Sequence, residues 1–325
     1  MFYISIVVVL IFIVVVLKFL TKPSPKSLKS RHVVITGGSS GIGKAVAVLA
    51  ARKGANVTII ARNIEKLEAA KKEIESQTAN QIVTTISVDV SDKEAIEEKI
   101  LEIEKSVGPV FMLVNCAGLA ICGKLEEMTK KDINQLINVN LLGTIYPIQA
   151  LLPRFKERQE GIVVLTGSVV SLMGLFGYSI YSSCKFALRG LAESLYQELK
   201  LYNVSVTLAL PPDTDTPGFE TENKSKPKET KLLSESGGLL APEAVAQKLM
   251  DDALRGHFFS HVGLEGFIVT TLCIGMSPFC SLVDVAIEAT LLGPLRLIAA
   301  FYVKHFEGII FKCSMEKKNN QKKEE

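Results

Sequence analysis

Tyr181 and Lys185 stand four residues apart. On a helix that spacing is one turn, so a phenol and an ammonium share a face. A free tyrosine ionises near pH 10, too high for easy proton transfer at neutral pH. A lysine charge beside it, joined by the positive ring of an oxidised nicotinamide, favours the phenolate and lowers that value. Such a pair suits ketone reduction: the phenol gives a proton to the developing alkoxide while a cofactor gives hydride. Tyr178 competes for the role, but one turn on from it stands Ser182, not a lysine.

A second feature lies far upstream. Residues 36–43 read Thr-Gly-Gly-Ser-Ser-Gly-Ile-Gly after a β-branched run and before a helical stretch. Gly37, Gly41 and Gly43 let a backbone turn tightly and approach a pyrophosphate, and the following helix offers free N–H groups to the anion. Ser39 and Ser40 add hydroxyl donors. About 20 residues on, an acid would bind the ribose 2′-hydroxyl of NAD. This chain has Arg62 there, with Lys66 four residues further, which on one helical face would hold a 2′-phosphate. That exchange of acid for base favours NADPH, the alternative being two solvated surface cations. Asp89 suits the adenine amino group, or caps a helix starting near Ser91.

Elements of matching type surround these residues. Short apolar runs at 32–36, 56–60, 82–88, 110–114, 162–166 and 204–209 read as strands covered on both faces. Amphipathic stretches such as 67–74 and 93–105 read as helices between them. The alternation predicts an α/β fold, a doubly wound parallel sheet of Rossmann type over residues 32–262. Residues 211–240 are polar and rich in Pro, Gly, Ser and Thr, which reads as a long lid or binding loop.

In this order and at these spacings the motifs resemble the short-chain dehydrogenase/reductase family. Residues 36–43 are similar to its TGxxxGxG. Asn115-Cys116-Ala117-Gly118 is similar to its NNAG, with Cys for the second Asn, and Tyr181 with Lys185 to its YxxxK. Ser168 lies 13 residues before Tyr181, and Asn140 lies 28 before Ser168. The resemblance implies an Asn140–Ser168–Tyr181–Lys185 tetrad. Ser168 would hold the carbonyl oxygen, and Asn140 would order a water that relays protons to Lys185. Ser171 and Asn138 are rivals with poorer spacing. The resemblance also implies cofactor contacts from Ile42, Val90, Asn115, Ala117, Gly118, Thr214 and Thr216, and from Tyr181 and Lys185 themselves.

Within the family, residues 174–178, 185–193 and above all 211–219 resemble the branch acting on sphingoid ketones. This implies NADPH-dependent reduction of 3-oxosphinganine to sphinganine in sphingolipid synthesis. Asp213, Asp215 and Glu220 are then candidates to attract the substrate's ammonium. A reductase of another lipophilic carbonyl, or a non-catalytic cofactor-binding scaffold at a membrane, are the alternatives.

The chain's two ends are apolar. Residues 1–20 carry one charge, Lys18, and reach spanning length with it. Lys22, Lys26, Lys29 and Arg31 follow without an acid, so the positive-inside rule predicts an N-terminal anchor, a basic linker at 21–31 and a cytosolic enzyme. Residues 263–311 hold two further apolar stretches, 266–283 and 289–303. They read as membrane-associated segments or a short hairpin broken at Pro278 and Gly293-Pro294, or as core helices with a homo-oligomer face. The polar tail, 312–325, ends Lys322-Lys323-Glu324-Glu325, which resembles the dilysine retrieval signal of endoplasmic-reticulum membrane proteins.

Composition sets the outer bounds. The chain has 325 residues, 48% hydrophobic and 22% charged, with a mean hydropathy of +0.29. That excludes a disordered chain. A net charge of +3 excludes a strongly basic nucleic-acid binder. The six cysteines show neither a CxxC pair nor a histidine at metal-ligand spacing, so free thiols and no metal site are expected.

Overall fold

The computed structural model describes residues 23–78, 80–235 and 238–324. The expected anchor at 1–20 lies outside them. Seven parallel strands form one sheet in the order β3-β2-β1-β4-β5-β6-β7. They are β1 (His32–Thr36), β2 (Asn56–Ala61), β3 (Val83–Ser87), β4 (Val110–Asn115), β5 (Gly161–Thr166), β6 (Val204–Leu210) and β7 (Phe259–His261). The first six match the apolar runs to within a residue or so at each end. The seventh is three residues long and carries Ser260 and His261, too short and too polar to read as a run.

The helices are α1 (Gly41–Arg52), α2 (Ile64–Glu75), α3 (Lys93–Ser106), α4 (Lys130–Ile137), α5 (Gly143–Arg158), α6 (Ser179–Leu199), α7 (Pro217–Ser225), α8 (Lys228–Ser234), α9 (Pro242–Leu254), α10 (Gly263–Cys273) and α11 (Leu282–Glu324). The period of two along each strand splits the core. Val33, Ile35, Val57 and Ile59 pack with α1 and α9 on one face, while Val34, Ile60 and Leu113 pack with α3, α5 and α6 on the other. Each such side chain, wholly buried, contributes about 1.5–3 kcal/mol. Residues 130–158 are long and apolar enough to cross a membrane. Their α5 half, however, buries Ile148, Leu151 and Phe155 in this core.

Two expectations about segments need correction. The polar stretch 211–240 is mostly helical rather than an open loop. Thr216 accepts from the Phe219 amide at 3.1 Å and Pro217 occupies the first turn, a start signal that nucleates α7. The C-terminal apolar pair breaks near Pro278 but not at Gly293-Pro294, since α11 runs through both for 43 residues. Its far end is tied down, with Lys317 to Glu229 at 2.7 Å and Lys228 to Glu316. Leu297, Phe301 and Phe311 on α11 are 67–78% exposed, an apolar surface that the described chain leaves uncovered.

Candidate active site

Strand order reverses between β1 and β4, which opens a crevice beyond their C-terminal ends. Gly37 turns there with φ +67°, and a Cβ on it would sit 2.7 Å from the Ala117 nitrogen. A Cβ on Gly43 would sit 2.4 Å from the Gly37 carbonyl oxygen, so the loop closes on itself only with glycine. Gly41, at φ +54°, abuts Thr216. The Ser40 side chain makes no cap bond and no acid occupies the first turn of α1. Its amides, with Ser39, Ser40 and Ile42 around them, are thus open to an anion. On the β4 side Ala117 donates to Thr36 Oγ1 at 3.2 Å, and Asn115 Nδ2 donates to the Val164 carbonyl at 3.1 Å. Among the described residues Asn115 Oδ1 is buried without a partner. Cys116 stands beside this turn, and burial pushes its thiol up to about 11, so it is no nucleophile.

Beyond β2 and β3, Arg62 lies 3.6 Å from Asp89, and both are well exposed. Burial alone would raise the Asp89 pKa. Hydrogen bonds from the Ser91 amide and hydroxyl, together with the Arg62 charge, outweigh it and hold the carboxyl below its ordinary value. Asp89 does not cap the next helix, a role taken by Asp92, which accepts from Ala95 at 3.0 Å. Lys66 is exposed, but it does not share a helical face with Arg62. Asn63 caps α2 by accepting from the Lys66 amide, so Arg62 precedes the helix. Val90 is buried against Gly143. The glycine cradle, the uncapped α1 and a basic β2 terminus fit a dinucleotide bearing a 2′-phosphate.

The four expected catalytic side chains come from three places that meet at this crevice, Tyr181 and Lys185 both from α6. Asn140 lies in a π turn, Asn138–Leu142, and is 1% exposed. It accepts from the Leu119 amide at 3.1 Å and donates to the Leu119 carbonyl at 2.9 Å. Asn138, its rival, is exposed. Lys185 Nζ donates to the Thr166 carbonyl at 2.8 Å and lies 5.5 Å from the centre of the Tyr181 ring. A Cβ on Gly118 would fall 3.0 Å from Asn140 Oδ1 and 3.8 Å from Lys185 Nζ, so these two groups converge on one backbone position. Ser168 follows β5 and lines the same cavity as Tyr181. Ser171 is fully buried and spends its hydroxyl on the Ser168 amide at 3.1 Å.

The electrostatics differ from the expectation in one respect. Burial, then the charge of Glu222, pushes the Tyr181 phenol above its ordinary value, and the Ser168 hydrogen bond only partly offsets them. Burial brings the Lys185 ammonium itself down to about 8. The phenol is therefore a firmly protonated acid at neutral pH.

Tyr181 and Ser168 open into a cavity of about 1210 Å³. Its walls are largely apolar: Leu175 and Phe176, then Val269 and Leu272 of α10, then Tyr302 and Phe306 of α11. Thr214 and Thr216 line it too, Thr214 bonded to the Pro212 carbonyl at 2.9 Å. Of the acids expected to face a substrate, only Asp213 does, while Asp215 and Glu220 are exposed elsewhere. Glu222 lines the cavity instead. Its signal was the spacing to Lys226, one turn on, which carries meaning only if the segment is helical.

Residues 31–227 match the family model for short chain dehydrogenase. The chain is 47% identical to 3-ketodihydrosphingosine reductase of Bos taurus over 301 residues, covering 92% of this chain and 91% of the relative. It is 46% identical to 3-dehydrosphinganine reductase of Danio rerio, with the same coverage. An alcohol dehydrogenase from Thermococcus sibiricus, complexed with 5-hydroxy-NADP, superposes with a TM-score of 0.62 at 29% identity. The match covers 73% of this chain and 96% of that one. Levodione reductase shares the fold, with a TM-score of 0.67 at 24% identity over 72% of this chain and 96% of that one. Matches of this extent in sequence and in fold leave one assignment: the chain belongs to the short-chain dehydrogenase family.

Proposed function

We propose that this chain reduces the 3-keto group of 3-oxosphinganine to the hydroxyl of sphinganine with NADPH. The observation that carries the reading is a proton-donating tyrosine at the wall of a long apolar cavity, in a chain nearly half identical to reductases of that name. Bound NADPH supplies the hydride for the carbonyl carbon. The α1 N-terminus and its glycine turn would hold the pyrophosphate, Arg62 the 2′-phosphate, and Asn115, Ala117 and Gly118 the far side of the crevice. Ser168 orients the ketone oxygen, and Tyr181 delivers its proton there as the alkoxide develops. Lys185 anchors the cofactor ribose, and Asn140 orders a water that returns a proton through Lys185. The apolar walls take the alkyl chain.

The same reading places the enzyme at the endoplasmic-reticulum membrane with its catalytic domain in the cytosol. The charge pattern at 18–31, the uncovered apolar surface of α11 and the lysine-bearing end support it. A substrate with a long alkyl chain is concentrated in that membrane.

Purified full-length chain in mixed micelles is expected to convert 3-oxosphinganine to sphinganine, with NADPH strongly preferred over NADH. Arg62→Ala should raise the NADPH KM about 10–100-fold, the worth of a charge-assisted hydrogen bond, with little effect on NADH. Absence of sphinganine by mass spectrometry overturns the reading.

The pH profile carries a further expectation. Lys185 is charged below about 8 and loses its proton as pH rises through that value. Tyr181 stays protonated over the same range. Reductive kcat/KM, which reports the free enzyme, should therefore fall on the alkaline side of about pH 8. A profile that rises steadily to about pH 10 would contradict it.

A further inference from the structure

The substrate of the reaction proposed above carries an amine on the carbon next to its ketone, and the inference below rests on that reading. Glu222 lines the cavity that Tyr181 opens into. Its Oε1 accepts from the Tyr178 hydroxyl, and the Tyr178 ring lies 5.4 Å from that of Tyr181. Lys226 Nζ sits 2.9 Å from the same Oε1.

Lys226 is fully occupied. Its ammonium has three donors, and it faces three acceptors: Glu222, Asp213 Oδ2 at 3.4 Å and Ser234 Oγ at 3.2 Å. The Phe219 ring covers it at 4.4 Å, and its side chain is 1% exposed. Two carboxylates share this one ammonium, and Asp213 also accepts from Ser234. Among the described residues no hydrogen bond reaches Glu222 Oε2. The side chain is 15% exposed and lines the cavity. Among the described residues the cations lining the cavity are Lys185, bonded to Thr166, and Arg296, on α11.

A carboxylate with a spare acceptor, beside the proton donor and inside apolar walls, suits a cation placed one bond from the reacting carbon. We propose that Glu222 Oε2 receives the ammonium on the carbon adjacent to the ketone, and that this contact selects α-amino ketones over plain ketones. The charge of Glu222 is felt at Tyr181, whose phenol it pushes up, which agrees with their closeness.

The test uses full-length enzyme in mixed micelles and three ketones: 3-oxosphinganine, its N-acetyl derivative and the same chain without the amine. Wild type should prefer the free amine about 10–100-fold in kcat/KM. Glu222→Gln should lose most of that preference, through KM on the amino ketone, while Glu220→Gln, exposed on the same helix, keeps it. Should Glu222→Gln prove inactive on all three, Glu222→Asp decides, because a retained preference supports the charge and a lost one overturns it. A Glu222→Gln enzyme that still prefers the amine as strongly as wild type overturns this inference alone. A wild type that reduces no long-chain ketone overturns the underlying reading and this inference with it.

Discussion

Replacing Tyr181 with Phe is expected to lower kcat for ketone reduction about 10²–10⁴-fold, the usual worth of a positioned general acid. The substitution removes one hydroxyl and keeps the ring, so the packing on Tyr178 persists. What disappears is the hydroxyl that, with Ser168, lines the cavity. None of the nearby residues replaces it. Tyr178 is turned toward Glu222, and the Cys116 thiol lies against Thr166 with its pKa raised to about 11. NADPH affinity should change by no more than about threefold, because Lys185 and the glycine turn are untouched. Stopped-flow or steady-state NADPH oxidation, with cofactor binding followed by fluorescence, separates the two quantities. Activity within about tenfold of wild type would mean that the proton comes from elsewhere.

A comparably large effect is expected far from the phenol. Gly37→Ala should destabilise the protein by about 2–5 kcal/mol and weaken NADPH binding at least about tenfold. Two causes combine. At φ +67° an L residue costs about 1–2 kcal/mol. In addition, the new methyl would sit 2.7 Å from the Ala117 nitrogen and 2.8 Å from the Cys116 carbonyl carbon, both backbone atoms just past the end of β4. Relief requires β1 and β4 to part at the point where the dinucleotide would lie. Gly190→Ala is the matched control. It lies within α6 with nothing within 4 Å of a new Cβ, so it should leave binding intact and stabilise by about 0.5–1 kcal/mol. Thermal denaturation with and without NADPH reads both. Equal melting temperatures for the two variants would contradict the steric account.

These sites were open to reading from sequence to different degrees, for physical reasons. Strands buried on both faces announce themselves as apolar runs, which is why six of seven appeared at nearly their true bounds. β7 buries only Ser260 of its three residues and gives no such run. Tyr181 and Lys185 were legible because a long helix fixes their four-residue spacing in space. Arg62 and Lys66 show the same rule misapplied, since Asn63 starts the helix between them. Residues 211–240 looked like a loop because their composition is polar. The Thr216-Pro217 start signal was present, and reading it would have placed Glu222 and Lys226 on one face. The course of α11 through Gly293-Pro294 was not legible, because Gly followed by Pro is a local break signal. The pKa of Tyr181 was likewise out of reach, because burial and Glu222 set it together.

The cavity and tetrad are proposed to serve a sphingoid ketone. The most direct measurement is kcat/KM for NADPH oxidation by the full-length enzyme with 3-oxosphinganine, beside a steroid ketone and retinal under identical micelle conditions. A preference for 3-oxosphinganine of about 100-fold or more, abolished together with all turnover in Tyr181→Phe, is the predicted result. Equal or greater efficiency with the steroid or the retinoid would contradict it.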